Sequence, residues 1–145
     1  MSLFSALRVS ATGLEAQRTR VELLVENLAN SETTRTPEGG PYRRREAVFR
    51  SEPLPAPFGV MLAGLTGDPP VGVAVAEIRV DDTPPERRYQ PGHPDAGAEG
   101  YLLAPPVNPV EDMVDLMSAV RSYQANVAAM GAVKEMLHRS IDLVR

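Results

Sequence analysis

The chain has 145 residues, a length that suits one domain with one modest core. Its net charge of -4 argues against a general nucleic-acid binder and against attraction to an anionic membrane surface, because both partners favour a basic protein. The absence of cysteine excludes disulfides, thiol nucleophiles and cysteine-based metal sites, while a hydrophobic content of 43% is sufficient for an ordered core.

The helix-breaking residues are concentrated in the middle of the chain. All 14 prolines lie between Pro37 and Pro109, and nine of the 11 glycines lie in the same interval. This distribution predicts a helix at each end and irregular or β structure between them. We therefore divide the chain into an N-terminal helical segment (residues 1–34), a Pro/Gly-rich β insert with loops (35–106) and a C-terminal helical segment (107–145).

The N-terminal flank has residues at alternating steps of three and four that are nearly all apolar. This spacing predicts a single seam along one long helix. The seam residues are Phe4, Leu7, Ala11, Leu14, Arg18, Val21, Val25 and Leu28. Asn30 follows the last of them, and we expect it to end the helix in a left-handed backbone conformation.

The C-terminal flank repeats this pattern over a longer distance. Its start is marked by Asn108 as a cap, Pro109 at the first helical position and Glu111 at a capping-box spacing. A helix from Pro109 to Val144 would be about 54 Å long at ~1.5 Å per residue. Its seam consists of Met113, Leu116, Val120, Tyr123, Val127, Met130, Lys134, Leu137, Ile141 and Val144.

The central segment predicts short strands. Residues 42–49 are compatible with a strand, and residues 71–80 form the strongest strand pattern because valines alternate there. Two short runs, near Arg88 and at residues 101–103, are expected to pair across the Gly/Pro-rich stretch between them. Residues 51–70 are rich in proline and glycine, which predicts a loose loop.

Residues 90–101 (Q-P-G-H-P-D-A-G-A-E-G-Y) contain His93 with Asp95 and Glu99 nearby. A metal site needs three or four converging donors, and the second histidine, His138, belongs to the C-terminal helix. A serine hydrolase needs a positioned nucleophile, and no G-x-S-x-G motif is present. We predict no catalytic, metal or cofactor site here, and interpret the stretch as a connection between strands in which His93 packs or hydrogen-bonds.

The triple Arg43-Arg44-Arg45 is followed directly by Glu46, and no aromatic residues are interleaved with it. A nucleic-acid surface combines basic residues with stacking aromatics. We therefore interpret this run as a solvated or protein-contacting strand.

Both flanks carry more apolar residues than one seam per helix can bury. A helix pair buries one stripe on each partner, so the additional positions need other partners, and Met-rich or Ala-rich faces adapt well to other helices. We expect self-association or hetero-association, with terminal helices that are partly disordered in the isolated subunit. The additional positions are Val9, Leu23, Leu24, Val114, Met117, Ala119, Ala128, Ala129, Val133 and Met136.

Two motifs resemble those of bacterial flagellar axial proteins. Residues 26–34 (E-N-L-A-N-S-E-T-T) resemble the N-terminal signature of rod and hook proteins. Residues 89–101, followed by V-N-P-V-E-D-M-V-D-L-M-S-A-V-R-S-Y-Q-A-N up to Asn126, resemble basal-body rod proteins of the proximal-rod FlgC type. The resemblance covers both helices and the loop between them, and it is weak from about Arg50 to Asp68.

This resemblance implies a structural subunit and not an enzyme. The implied fold is α+β, with long N- and C-terminal helices packed as an antiparallel coiled coil and a small irregular β-rich insert between them. The subunit would polymerise through its terminal helices into the proximal rod, the axial drive shaft that crosses the periplasm and transmits torque. It would need no cofactor.

The implied partners are other copies of the chain, other flagellar rod proteins, the rod-to-membrane-ring adaptor and the flagellar type III export apparatus. Nucleic acid and a direct membrane span are not expected. That export route cleaves no signal, which agrees with an N-terminus that lacks the apolar core of a secretory signal peptide. The alternative is a cytoplasmic coiled-coil adaptor or type III secretion chaperone, which shares the helices but stays in the cytoplasm.

The seams and the matched motifs together predict the assembly and coiled-coil interface. On the N-terminal helix it consists of Leu14, Val21, Val25, Asn27, Leu28 and Asn30. On the C-terminal helix it consists of Met113, Val120, Tyr123, Gln124, Asn126, Val127 and Met130. The four apolar residues of the first set are expected to pair with Met113, Val120, Val127 and Met130, while Tyr123, Gln124 and Asn126 fix the register against neighbouring subunits.

Overall fold

The structure is a computed structural model that describes residues 3–55 and 70–144. In chain order its elements are α1 (Leu3–Ala29), β1 (Arg45–Pro53), β2 (Val71–Val80), β3 (Glu86–Tyr89), β4 (Tyr101–Ala104) and α2 (Pro109–Val144). The predicted α+β class is confirmed, with a small β region between two long helices. Most of the loop predicted at residues 51–70 lies outside the described residues.

The end of α1 is fixed by side-chain caps. The backbone N–H of Asn30 donates to the carbonyl of Glu26 at 3.1 Å, and the Asn30 side-chain amide donates to the same carbonyl at 2.9 Å. The Ser31 hydroxyl donates to the Leu28 carbonyl at 2.8 Å. These bonds satisfy carbonyls that have no partner within the helix. The predicted left-handed conformation of Asn30 is wrong, because φ is positive only at glycines among the described residues.

The start of α2 follows the sequence signals. The side-chain oxygen of Asn108 accepts from the backbone N–H of Val110 at 3.2 Å, and its carbonyl accepts from Asp112 N–H at 3.0 Å. Pro109 is the first helical residue, where its missing N–H costs nothing. Glu111 and Asp112 place negative charge in the first turn, which is favourable at the positive end of the helix dipole.

The strands form two separate two-stranded sheets. β1 and β2 are antiparallel, since Asp81 N–H donates to Arg44 C=O at one end of the pair and Leu54 N–H donates to Pro70 C=O at the other, both at 2.8 Å. β3 and β4 are also antiparallel, with Tyr89 directly opposite Tyr101. The structure confirms the predicted strand at residues 71–80 and the predicted pairing of the two short runs. β1 begins three residues later and ends four residues later than the strand predicted at residues 42–49.

The chain divides into two compact units. The central unit comprises Arg20–Val48 and Glu77–Ser118, and the terminal unit comprises Met1–Thr19, Phe49–Ala76 and Ala119–Arg145. Each unit contains parts of all three segments into which we divided the sequence. In the described part of the chain, neither helix has an apolar stretch long enough to span a lipid bilayer.

The buried residues are distributed unevenly between the units. Those of the central unit are Leu23, Leu24, Asn27, Tyr42, Gly100, Leu102, Ala104, Pro105, Val107 and Asp112. The described residues that are buried in the terminal unit are Ala16, Gly72, Ala119 and Val133. Among the residues that the structure describes, the larger buried side chains therefore belong mainly to the central unit.

Candidate assembly surfaces and polar anchors

Asn27 is fully buried in the central unit, with 0% exposure. Its side-chain oxygen accepts hydrogen bonds from the Tyr42 hydroxyl and from Arg45 N–H, and its amide nitrogen donates to the Arg45 carbonyl, each at 2.9 Å. One side chain thus connects Tyr42 and the first residue of β1 to the last turns of α1. The sequence placed Asn27 in an interface, and the structure places it inside the central unit.

The Tyr42 hydroxyl belongs to the same network. Burial raises the pKa of this phenol above its ordinary value, and the nearby Glu26 carboxylate raises it further, while Arg45 acts in the opposite direction. Tyr42 is therefore held in its neutral form, which is the form that donates a hydrogen bond to Asn27.

Arg44 forms the second polar anchor of the central unit. Its two terminal nitrogens donate to Asp112 and to Glu46, both at 2.7 Å. Asp112 is only 1% exposed, and its other carboxylate oxygen has no hydrogen-bond partner within the described residues. Burial alone would lower the pKa of Arg44, but the hydrogen bond and the charge of Asp112 outweigh it and the pKa is raised.

Further charges extend this anchor into a cluster. Asp115 lies 3.9 Å from Arg44 and 3.7 Å from Arg20, and Arg79 pairs with Glu46 at 3.1 Å. We call the set Arg20, Arg44, Arg79, Glu46, Asp112 and Asp115 the arginine–carboxylate cluster. It connects α1, β1, β2 and α2 within the central unit.

Only part of the cluster was visible in the sequence. The arginine run was interpreted as a solvated or protein-contacting strand, and Arg44 is in contact with protein, while Arg43 pairs with the almost fully exposed Asp82. The role of Asp112 was missed. Its partner is 68 positions away in the chain, and an Asp in the first turn of a helix is ordinarily explained by the helix dipole alone.

The stretch at residues 90–101 is a hydrogen-bonded turn. His93 accepts at Nδ1 from the backbone N–H of Asp95 at 3.1 Å, and the Asp95 carboxylate accepts from the Thr34 hydroxyl at 2.8 Å. Gly100 has a φ of +76°, and a Cβ there would lie 3.0 Å from the Tyr89 ring, so glycine is required. The prediction that His93 is a hydrogen-bonding residue in a connector is confirmed.

The turn presents an aromatic surface on one side of β3 and β4. The rings of Tyr89 and Tyr101 meet edge to face at 5.3 Å, and the Arg87 guanidinium lies 4.9 Å from the centre of the Tyr101 ring. Tyr89 is 65% exposed. The alternate residues Leu102 and Ala104 are buried, so the sheet has one inner and one outer side.

Helix α1 contacts other elements closely at Thr12 and Gly13 in the terminal unit. A Cβ on Gly13 would lie 3.2 Å from the side-chain nitrogen of Asn126, and a Cβ on Gly72 would lie 2.7 Å from the Thr12 hydroxyl oxygen. That hydroxyl also accepts from Val73 N–H at 3.2 Å. The two glycines therefore allow close approach of α2 and β2 to α1, a role that sequence reasoning missed.

The most buried residues of α2 lie one position before one of the two predicted seam positions in each heptad, while Leu116, Met130 and Leu137 of the predicted seam are half-buried. Asp112, Ala119 and Val133 are buried and Asn126 is half-buried, at a regular spacing of seven. The next residues along the helix, the predicted Met113, Val120 and Val127, are exposed by 51%, 37% and 48%. A stripe of apolar side chains on α2 is therefore left uncovered in the single chain.

The chain is similar over its whole length to known proteins. A family model described as "Flagellar basal body rod FlgEFG protein C-terminal" matches residues 98–143. The chain is 39% identical to the "Flagellar basal-body rod protein FlgC" of Borreliella burgdorferi, over 100% of this chain and 99% of that protein. It is 42% identical to the protein of the same name in Bacillus subtilis, over 99% of both chains. The chain belongs to the FlgC family of flagellar basal-body rod proteins. The Salmonella typhimurium member is 35% identical over 99% of this chain and 98% of its own.

For this FlgC-family chain, the predicted interface residues occupy three kinds of position. Asn27 is buried. Leu14, Val21, Leu28, Asn30, Asn126 and Met130 are half-buried. Val25, Met113, Val120, Tyr123, Gln124 and Val127 are exposed. The assignment of the exposed and half-buried residues to an assembly interface stays a prediction.

Proposed function

We propose that the protein is a structural subunit of the flagellar rod that polymerises through its terminal helices. The observation that carries the proposal is the exposed apolar stripe on α2, in a chain whose whole length is similar to basal-body rod proteins. The stripe consists of Met113, Met117, Val120, Tyr123 and Val127. An uncovered face of this composition is typical of a surface that packs against other helices.

An antiparallel coiled-coil arrangement of α1 and α2 is part of this proposal. In the terminal unit Gly13 lies against Asn126, and in the central unit Arg20 forms an ion pair with Asp115. The residue number rises along α1 between these contacts and falls along α2, as antiparallel pairing requires. The close approach at Gly13 supports direct packing of the two helices there.

The finer position and partners are also proposed. The chain would lie in the proximal rod in the periplasm, contact other copies of itself, other rod proteins and the rod-to-membrane-ring adaptor, and transmit torque. It would leave the cytoplasm through the flagellar type III export apparatus without cleavage of a signal. The FlgC names of its relatives and the exposed helix faces support this assignment.

The test combines deletion, complementation and fractionation. A strain that lacks the protein is expected to form neither rod nor hook and to be non-motile, and expression of the parent chain is expected to restore both. The restored chain should co-purify with detergent-extracted hook–basal bodies. A chain that restores motility while remaining entirely in the soluble cytoplasmic fraction would instead identify an adaptor or secretion chaperone.

The double substitution Gln124→Ala and Asn126→Ala refines this test. Gln124 is exposed and Asn126 is half-buried, and both lie in the matched motif. We expect the variant to reduce rod assembly more than it reduces the stability of the subunit. Normal rods and normal motility in the double variant would contradict the assigned register role.

A further inference from the structure

Methionine is the only sulfur-containing residue type of this chain, because the sequence has no cysteine. Cysteine and methionine are the two side chains that peroxides oxidise at sulfur. Four of the six methionines belong to α2, at positions 113, 117, 130 and 136, and the other two lie outside the described residues. In the described part of the chain, a peroxide therefore meets reactive sulfur on α2.

The two methionines of the exposed apolar stripe are open to solvent in the single chain. Met113 is 51% exposed and Met117 is 57% exposed, and their spacing of four residues places them on the same side of α2. Met130 is half-buried. Because oxidation follows the access of the oxidant to the sulfur, Met113 and Met117 should react faster than Met130.

Met136 provides an internal comparison on the same helix. It is 49% exposed, so an oxidant reaches it about as easily as it reaches Met113. Met136 follows Met113 by 23 positions, which is about 140° around a helix of 3.6 residues per turn. The two residues therefore share solvent exposure, but Met136 lies on a different side of α2 from the stripe.

We propose that Met113 and Met117 are sites of reversible oxidation by peroxides, and that their oxidation prevents the stripe from packing against neighbouring subunits. The inference rests on the proposed function, which takes the stripe to be covered in the rod. The sulfur lone pair forms an S–O bond with one oxygen of hydrogen peroxide while the O–O bond breaks. The proton of the transferred hydroxyl passes to the leaving hydroxide, so water is released, the sulfur is oxidised by two electrons and the peroxide is reduced.

Oxidation replaces an apolar part of the stripe by a polar group. A sulfoxide oxygen accepts hydrogen bonds from water in the single chain, and at an apolar interface it would lose them without replacement. The unfavourable effect therefore arises on assembly and not on folding of the subunit. Reduction by two thiols reverses the change, with the sulfoxide oxygen released as water and the thiols joined as a disulfide. Because this chain has no thiol, the reductant must be another molecule, such as a methionine sulfoxide reductase.

Mass spectrometry after treatment with hydrogen peroxide measures oxidation at each methionine. In the dilute full-length chain, sulfoxide should form at Met113 and Met117 about as fast as at Met136, and more slowly at Met130. In extracted hook–basal bodies, oxidation of Met113 and Met117 should be at least about tenfold slower than in the dilute chain, because neighbours cover the sulfurs. Equal rates at these two residues in both samples would overturn the inference.

Two double variants separate the polarity of the side chains from their size. Met113→Gln with Met117→Gln imitates the polar sulfoxide, and Met113→Leu with Met117→Leu keeps the surface apolar and removes the oxidisable sulfur. Because both positions are exposed, urea denaturation should give each double variant the stability of the parent. The glutamine variant should co-purify with hook–basal bodies at least about tenfold less than the parent, and the leucine variant as well as the parent.

Met136→Gln is the matched control for the glutamine variant. It makes the same chemical change at a residue of similar exposure on a different side of α2. It should co-purify with hook–basal bodies as well as the parent. A glutamine double variant that assembles like the parent overturns the inference, and so does equal depletion by Met136→Gln.

Oxidation itself is tested by competition within one cell. The parent and the leucine double variant, expressed together, experience the same peroxide and the same export apparatus. As sublethal hydrogen peroxide is raised during growth, the ratio of the leucine variant to the parent in newly formed hook–basal bodies should rise. A ratio that stays constant overturns the inference.

The outcomes distinguish this inference from the proposed function. A parent chain that co-purifies with hook–basal bodies, together with a glutamine double variant at the same level, supports the rod assignment and overturns the oxidation sites. A parent chain that is absent from hook–basal bodies contradicts the rod assignment. If that chain self-associates in sedimentation, and peroxide abolishes the association of the parent but not of the leucine variant, the oxidation sites are supported independently.

Discussion

At the scale of single residues, the carboxylate of Asp112 carries a charge that the fold has removed from water. Replacing Asp112 by Ala leaves Arg44 without its buried partner, and we expect a loss of about 3 kcal/mol in the free energy of unfolding. The double change Asp112→Leu with Arg44→Met removes both charges and should cost less, because a well-packed apolar pair replaces a buried ion pair at little penalty. Urea denaturation measures both values. A double variant less stable than Asp112→Ala would contradict this account.

Tyr42 provides a prediction about alkaline pH. Its pKa is raised in the folded protein above the ordinary value of 10.0, so folding favours the protonated phenol. The corresponding stability is fully present below pH 10 and is lost as the pH rises toward the folded pKa, because only the unfolded chain ionises in that interval. The free energy of unfolding should therefore fall more steeply above about pH 10 in the parent than in Tyr42→Phe. Equal slopes for the two proteins in urea titrations would refute the role of Tyr42.

At the scale of elements, the sequence predicted where structure occurs better than which face is buried. Asn108 and Pro109 predicted the start of α2, and alternating valines predicted β2, because caps and strand periodicity are local signals. The most buried positions of α2 were not predicted because two of them carry the polar Asp112 and Asn126 and one carries the small Ala119, whereas the predicted seam follows the larger apolar residues beside them. Arg44 allows Asp112 to be buried because it forms an ion pair with it, and Gly13 leaves room for the Asn126 side chain. Neither partner is near in sequence.

The contact between Gly13 and Asn126 allows a quantitative test of helix packing. Alanine is favoured over glycine within a helix by about 1 kcal/mol, but a Cβ on Gly13 would lie 3.2 Å from the Asn126 side chain. We expect Gly13→Ala to be near neutral in the parent, where the gain in helix propensity is offset by crowding. In an Asn126→Ala background it should stabilise by about 1 kcal/mol. The double-mutant cycle is measured by urea denaturation, and additive effects would show that the contact exerts no constraint.

At the scale of the whole molecule, family motifs predicted the class of protein, while the two-unit division was invisible in the sequence. The proline-rich middle suggested three consecutive segments, yet each compact unit combines pieces of all three. Asn27 bonds across 18 positions to Arg45, and Arg44 bonds across 68 positions to Asp112. Which polar residues meet over such distances depends on the tertiary fold, so composition and periodicity do not predict these pairs.

The exposed stripe on α2 leads to a prediction that separates folding from assembly. Val127 is 48% exposed, so Val127→Glu places its new charge in water in the single chain, and the free energy of unfolding should change by no more than about 0.5 kcal/mol. Within a rod the same charge would be buried without a partner at a helix interface, which costs several kcal/mol. The amount of the variant that co-purifies with hook–basal bodies should therefore be at least about tenfold lower than that of the parent.

Ala125→Glu is the matched control for Val127→Glu. Ala125 is also exposed, and two residues along a helix of 3.6 residues per turn place it on nearly the opposite side of α2. It introduces the same charge into the same turn of helix, so effects of charge or helix propensity on export and folding should be shared by both variants. If the stripe is the assembly surface, only Val127→Glu is depleted from the basal bodies. Equal depletion of both variants would contradict an interface confined to the stripe, because the helix would then be enclosed by neighbours on both sides.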